Sequence, residues 1–279
     1  MQEQISSMRA RYFFDSLAQM QDWIARTSRT WKDCDSSITN PKEEYWDLCA
    51  GYDGAMAMAR DGWVEGAAKA QKALKAFVPL TNAPDTVNDI YGYRPNVARF
   101  CSGVPDCMVR RAPRADNGAG RVLTLIVPVN ALAGVSAVYM ANFGVAVAQY
   151  INQMENDGTR VEIIAAMTST VSDWRVSACA RVKHADQPLD LSVLAFAIGH
   201  PAMFRRLGFA IRERCAAPRD YGYGNSIATR ANDMINAPVG AVVLNGMKDA
   251  DTHARTPEAA LAYVEAQITK ALVAQKLGN

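Results

Sequence analysis

The clearest hydrophobic pattern lies in the second half of the chain. Residues 121–129 (RVLTLIVPV) are almost continuously apolar and β-branched, which suits a strand buried on both faces. Residues 135–155 predict a long apolar-rich helix, stopped by Asn156, Asp157 and Gly158. Residues 160–167 (RVEIIAAM) predict a second buried strand, so the unit implies a right-handed parallel crossover. Over 175–183 apolar residues alternate, with Val176, Ala178, Ala180 and Val182 on one face of an amphipathic edge strand. Residues 189–215 predict a helix broken near Gly199, His200 and Pro201. A short strand at 241–244 and a helix at 256–277 complete the pattern, the latter opened by Thr256 as cap, Pro257 and Glu258. The expected fold is α/β, with a three-layer doubly wound sheet over 121–279.

The first half is less regular. An amphipathic helix is predicted from Tyr12 to Ile24, because Phe13, Leu17, Met20 and Ile24 recur at helical spacing. A second helical stretch runs from Asp53 to Ala76, interrupted at Asp61-Gly62-Trp63, with Trp63 packing inward from a joint at Gly62. Pro, Gly and Asn recur from Pro79 to Pro113, predicting loops and short strands. Residues 114–120 (RADNGAG) read as a linker between an irregular, mainly helical region, 1–114, and the α/β domain, 121–279.

Composition narrows the function classes. Of the 279 residues, 49% are hydrophobic and 21% charged, enough for a sizeable core. A net charge of +2 excludes histone-like polyelectrolyte binding but leaves local basic patches open. No apolar run approaches the roughly 20 residues that cross a bilayer. The first thirty residues mix Glu3, Arg9, Asp15 and Asp22 among apolar positions, unlike a signal peptide. An intracellular protein without a membrane partner is expected. The six cysteines contain no C-x-x-C pair and read as free thiols.

Candidate chemistry is sparse. There is neither a G-x-G-x-x-G nor a P-loop fingerprint, and no G-x-S-x-G elbow. His200 beside Pro201 reads as a packed or capping residue. Ligands of open α/β sheets sit beyond the carboxyl ends of the strands. Asn130, Ser136, Thr168 and Asp173 fall there and could give oxygen ligands to a divalent cation, the one cofactor considered. The plainer reading makes Ser136 a helix cap and the rest a polar loop. Two basic clusters are Arg110, Arg111 and Arg114, and Arg205, Arg206, Arg212 and Arg214, the latter followed by Tyr221 and Tyr223. Arginines interleaved with aromatics suit single-stranded DNA, with charge for phosphates and rings for bases. The alternative is a solvated helix face paired to acids.

Two sets of segments carry a resemblance. Ser16-Leu17, residues 55–66 (AMAMARDGWVEG) and residues 97–108 (VARFCSGVPDCM) resemble an uncharacterised family of tailed-phage proteins sharing a G-W-x-E-G turn and a G-x-P-x-C-M segment. Residues 127–130 (VPVN), Asn142-Phe143-Gly144 and RVEIIAAM resemble a von Willebrand factor A-like (vWA-like, Rossmann-like) domain. In that fold a D-x-S-x-S motif binds a bridging metal. Here Asn130 replaces the Asp, and Leu132 and Gly134 replace the serines, so the resemblance implies the scaffold and not metal-dependent adhesion.

The expected function is therefore a non-enzymatic, phage-encoded accessory protein of the host cytoplasm. It would dock onto a phage or host protein, or single-stranded DNA, in phage replication or transcription. A metal-dependent enzyme with its site at the strand ends, and a virion structural or assembly component, are the alternatives.

Overall fold

The structure, a computed structural model, describes residues 1–6, 8–31, 47–48, 50–76, 86–111, 122–131, 134–171, 173–217, 235, 237–247 and 253–277. It is a mixed α/β fold. Strands β1 (Gln2–Ser6) and β2 (Arg9–Phe14) lead into α1 (Leu17–Arg26), α2 (Gly51–Asp61) and α3 (Val64–Ala76). A small module follows, with β3 (Thr86–Asp89), β4 (Arg94–Pro95), α4 (Val97–Cys101) and β5 (Met108–Arg111). Then come β6 (Val122–Pro128), α5 (Ala137–Asn156), β7 (Arg160–Val171) and β8 (Trp174–Lys183). After a short α6 (Leu191–Leu194), two π-helical segments span Ala195–Gly199 and Met203–Gly208, and α7 covers Phe209–Arg212. Strand β9 (Val242–Val243) and α8 (Pro257–Leu277) close the fold.

The main sheet has six strands in the order β1-β2-β8-β7-β6-β9, and β3, β5 and β4 form a separate sheet. The predicted β6–α5–β7 unit is present, with β6 and β7 parallel. Ser136 caps α5, its Oγ accepting from the Val138 amide. Gly158, at φ 90°, turns the chain out of the helix.

Two expectations change. Strand β8 is not at the edge: β2 pairs beside it in parallel, and β7 pairs antiparallel on its other side. The predicted helix from Tyr12 to Ile24 begins only at Leu17, and Tyr12 to Phe14 belong to β2. Ala10, Tyr12 and Phe14 alternate into the core, a period of two that the sheet partner selects over the helical spacing of Phe13. Ser16 then starts α1, its Oγ accepting from the Gln19 amide.

The principal core lies between one face of the sheet and the helices. Leu125 and Val127 of β6, Ile163 and Ala165 of β7, and Ala178 and Ala180 of β8 meet Met140, Phe143 and Val147 of α5 there. Ala55 and Trp63 join the same cluster, so segments from both sides of residue 114 share one sheet and one core. On the opposite face Ile126, Ile164, Ala166 and Cys179 cluster with Ile235.

The joint at Gly62 is as the sequence suggests. Gly62 has φ 84°, and the next amide, Trp63 N, donates to the Ser192 carbonyl at 2.9 Å. A Cβ on Gly62 would lie 2.2 Å from Ser192 Oγ. Among the described residues, no helix is long and apolar enough to cross a membrane.

Candidate functional site

Asn130, just past the carboxyl end of β6, is joined to Thr168 of β7. Its carboxamide is fully buried, Nδ2 donating to the Thr168 carbonyl while Oδ1 accepts from the Thr168 amide at 2.8 Å. Both halves of the side chain are therefore spent on the backbone of the neighbouring strand. Ser136 Oγ is committed to its helix. Strand β7 continues to Val171, because Thr168, Ser169 and Thr170 pair with Ser177, Val176 and Arg175 of β8. The exposed Asp173 sits in the turn beyond Val171, three strand residues or about 10 Å further along than Thr168, at ~3.3 Å per residue. The four oxygen ligands considered for a cation are thus not gathered. Among the described residues no three His, Cys, Asp or Glu side chains form a group that could hold a metal.

The arginines after residue 200 do not form the expected basic face. Arg205, Arg206 and Arg212 are each at most 3% exposed. The Met203–Gly208 segment packs against α2, and Met203, Leu207, Ala210 and Ile211 join the principal core. Arg205 Nη2 donates to the Val135 carbonyl at 2.9 Å. Arg206 Nε donates to Asp47 Oδ2 at 2.7 Å, and the same oxygen accepts from the Gly51 amide at the start of α2. Arg212 Nη1 reaches the Ala217 carbonyl at 3.1 Å, and its guanidinium lies 4.9 Å from the centre of the Trp31 ring. These side chains are structural cations, desolvated and hydrogen-bonded. Tyr221, Tyr223 and Arg114 lie outside the described residues. Arg111 ends β5, and its side chain is likewise outside the description.

Burial shifts the titration of His200 and Cys179. His200 sits in the break between the π-helical segments, where Nδ1 accepts from the Ala202 amide at 3.1 Å and Trp63 meets the ring edge-on. Burial pushes its pKa down to about 4. Cys179 borders a cleft of about 100 Å³ on the second face of the sheet, with Ile126, Ile164, Phe13 and Arg11. Burial pushes this thiol up to about 12, which suppresses the thiolate that nucleophilic chemistry needs.

Arg110 leads to a different surface. In the small module its Nε is hydrogen-bonded to Asp89 Oδ2 across β3 and β5, and its guanidinium lies 5.5 Å from the centre of Tyr91. The bond from Arg110 holds the Asp89 carboxyl below its ordinary range. Arg94 lies 5.9 Å from the centre of Tyr93. Arg99 is paired with Asp106, and Asn96 caps α4. Five large apolar side chains of this module, Ile90, Tyr91, Tyr93, Val97 and Phe100, are each more than 60% exposed. Val97 and Phe100 are three apart on α4 and share a helix face.

The backbone beneath the tyrosines is tightly held. Tyr93 N donates to the Val109 carbonyl at 3.0 Å, and a Cβ on Gly92 would lie 2.3 Å from that oxygen. Of this surface the sequence singled out Arg110, and not Tyr91, Tyr93, Phe100 or Arg94. The signal was the run Ile90-Tyr91-Gly92-Tyr93-Arg94, which reads only as loop until the exposure of its rings is known.

Comparison with known proteins returns one family. The model of a domain of unknown function, DUF7192, matches residues 2–273. No curated protein and no solved structure matches the chain.

Proposed function

From a chain that belongs to the DUF7192 family of unknown function, we propose a non-enzymatic binding protein that docks its partner through the module of residues 86–111. The observation that carries this reading is the exposure of Ile90, Tyr91, Tyr93, Val97 and Phe100. Single exposed apolar residues are ordinary on protein surfaces, whereas a concentration of large ones marks an interaction site. The main body then serves as scaffold. Its β9-β6-β7-β8 order, with only β8 antiparallel to its neighbour β7, supports a degenerate vWA-like domain in which Asn130 ties two strands together where a metal ligand would otherwise stand. The phage resemblance at 55–66 and 97–108 supports an accessory role during infection, in which a host or phage macromolecule is the partner.

Oxidative footprinting tests the docking reading. Tyr91, Tyr93 and Phe100 should be readily modified in the purified chain and protected in an extract of cells producing it. Equal modification in both would overturn the proposal. The enzymatic alternative has its own test: Mg²⁺ or Mn²⁺ should leave the melting temperature unchanged. A saturable stabilisation abolished by Thr168→Ala would instead favour a metal site at the strand ends.

A further inference from the structure

We infer that the module of residues 86–111 takes single-stranded nucleic acid, with bases stacked on Tyr91, Tyr93 and Phe100 and phosphates met by Arg94 and Arg110. This inference rests on the reading of the module as the docking surface and names its partner.

Charge is the first argument. Residues 86–111 hold four arginines and two aspartates, with no lysine or glutamate, a net charge of +2. That equals the net charge of all 279 residues, so the rest of the chain is balanced. The module therefore has a positive balance of charge in the same stretch of chain as its exposed rings. An apolar protein partner has no use for such a surplus, whereas a polyanion does.

The arrangement of the charges is the second. Arg94 stands beside Tyr93 and Arg110 beside Tyr91, so cation and π-face occur as neighbours twice. Asp89 and Asp106 neutralise Arg110 and Arg99 in part, and Arg94 makes no ion pair among the described residues. A single strand offers the matching pattern, one phosphate and one base face per nucleotide. A duplex buries its base faces, so the rings would gain nothing from it. The geometry is also held in advance: Gly92 is pressed against the Val109 carbonyl and Tyr93 N is bonded to it, which places the tyrosines on either side of a fixed backbone point.

Fluorescence anisotropy of the full chain with labelled oligothymidylate, oligouridylate and a DNA duplex tests the inference at two salt concentrations. Saturable, salt-sensitive binding is expected for the single strands and much weaker binding for the duplex. The deoxy and ribo arms separate DNA from RNA as the source. The double substitution Tyr91→Ala with Tyr93→Ala should weaken single-strand binding about tenfold or more. Arg94→Ala should reduce the salt slope by about one. These exposed positions leave the melting temperature as the control for folding.

Absence of single-strand binding at low salt, or binding indifferent to these substitutions, would overturn the inference. The footprint separates the two levels. Protection of Tyr91 and Tyr93 that survives nuclease treatment of the extract would keep the docking reading and replace nucleic acid with a protein partner. Protection lost on nuclease treatment supports the inference directly.

Discussion

Asn130, just past β6, is tied to Thr168 of the parallel strand β7, its side-chain amide bonding both the carbonyl and the amide of that residue. The pair is buried, so neither backbone group has water as a substitute.

Asn130→Ala should therefore destabilise the protein by about 2–4 kcal/mol, since two buried backbone groups lose a partner. Asn130→Asp would set a carboxylate oxygen against the Thr168 carbonyl and should be at least as damaging. Neither variant should gain stability from Mn²⁺. Urea denaturation with and without the metal checks both statements.

The buried pair of Arg206 and Asp47 yields a second expectation. Arg206→Ala strands a carboxylate that is 1% exposed and should cost about 3–5 kcal/mol. Because Arg206 faces the interior, its loss should act on stability and leave the nucleic-acid affinity of the folded fraction unchanged. Chemical denaturation and anisotropy on the same preparation separate the two effects.

His200 gives the protein an acid-sensitive step. Its pKa falls from 6.5 to about 4 on folding because burial disfavours the imidazolium. Above pH 6.5 the ring is neutral in both states and contributes no pH dependence. As the pH falls from 6.5 towards 4, the unfolded chain binds the proton first and stability declines. The loss levels off below about 4, at about 3 kcal/mol. Melting temperatures over that interval should show the decline, and His200→Gln should flatten it.

The crossing of α5 with the first π-helical segment depends on two glycines. A Cβ on Gly144 would lie 2.5 Å from Gly199 Cα, a backbone atom that cannot rotate away. Gly144→Ala should cost about 1–3 kcal/mol or more through overpacking. Gly134 has open space around its Cβ position, so Gly134→Ala should be close to neutral. Thermal melts of the two variants make the comparison.

Thiol reactivity should follow exposure. Cys101 is exposed, whereas Cys179 and Cys215 are buried and the Cys179 thiol is pushed up to about 12. Brief alkylation of the folded protein at mildly alkaline pH should label Cys101 and spare the other two, as read by peptide mass spectrometry. Labelling of Cys179 at a similar rate would mean that the second face of the sheet is open to solvent.

Local pattern alone was enough for much of the fold. The apolar run of β6, the helix capped by Ser136, the run of β7, the interruption at Gly62 and the break at His200-Pro201 each announce themselves in consecutive residues. Periodicity, caps and proline chemistry act within a few residues, so they are written in order along the chain. Partnership across the chain is not. Residues 12–14 carry a helical spacing through Phe13 and an alternating one through Tyr12 and Phe14, and only the presence of β8 beside them selects the strand. The same addition moves β8 from an edge to the interior.

The candidate site divides along the same line. That the chain lacks a nucleotide loop, a catalytic elbow and a C-x-x-C pair is a property of its sequence. Whether an arginine faces water or a buried carboxylate is not, because Arg206 and Asp47 are 159 residues apart and meet only in the folded chain. Arg94 and Tyr93, neighbours in sequence, remain exposed at and beside β4 of the small sheet. The sequence by itself determined the elements, their caps and the absence of familiar catalytic motifs, since these depend on near neighbours. Tertiary structure alone decided which polar groups are desolvated and which rings stay in water, since burial is set by contacts between distant segments.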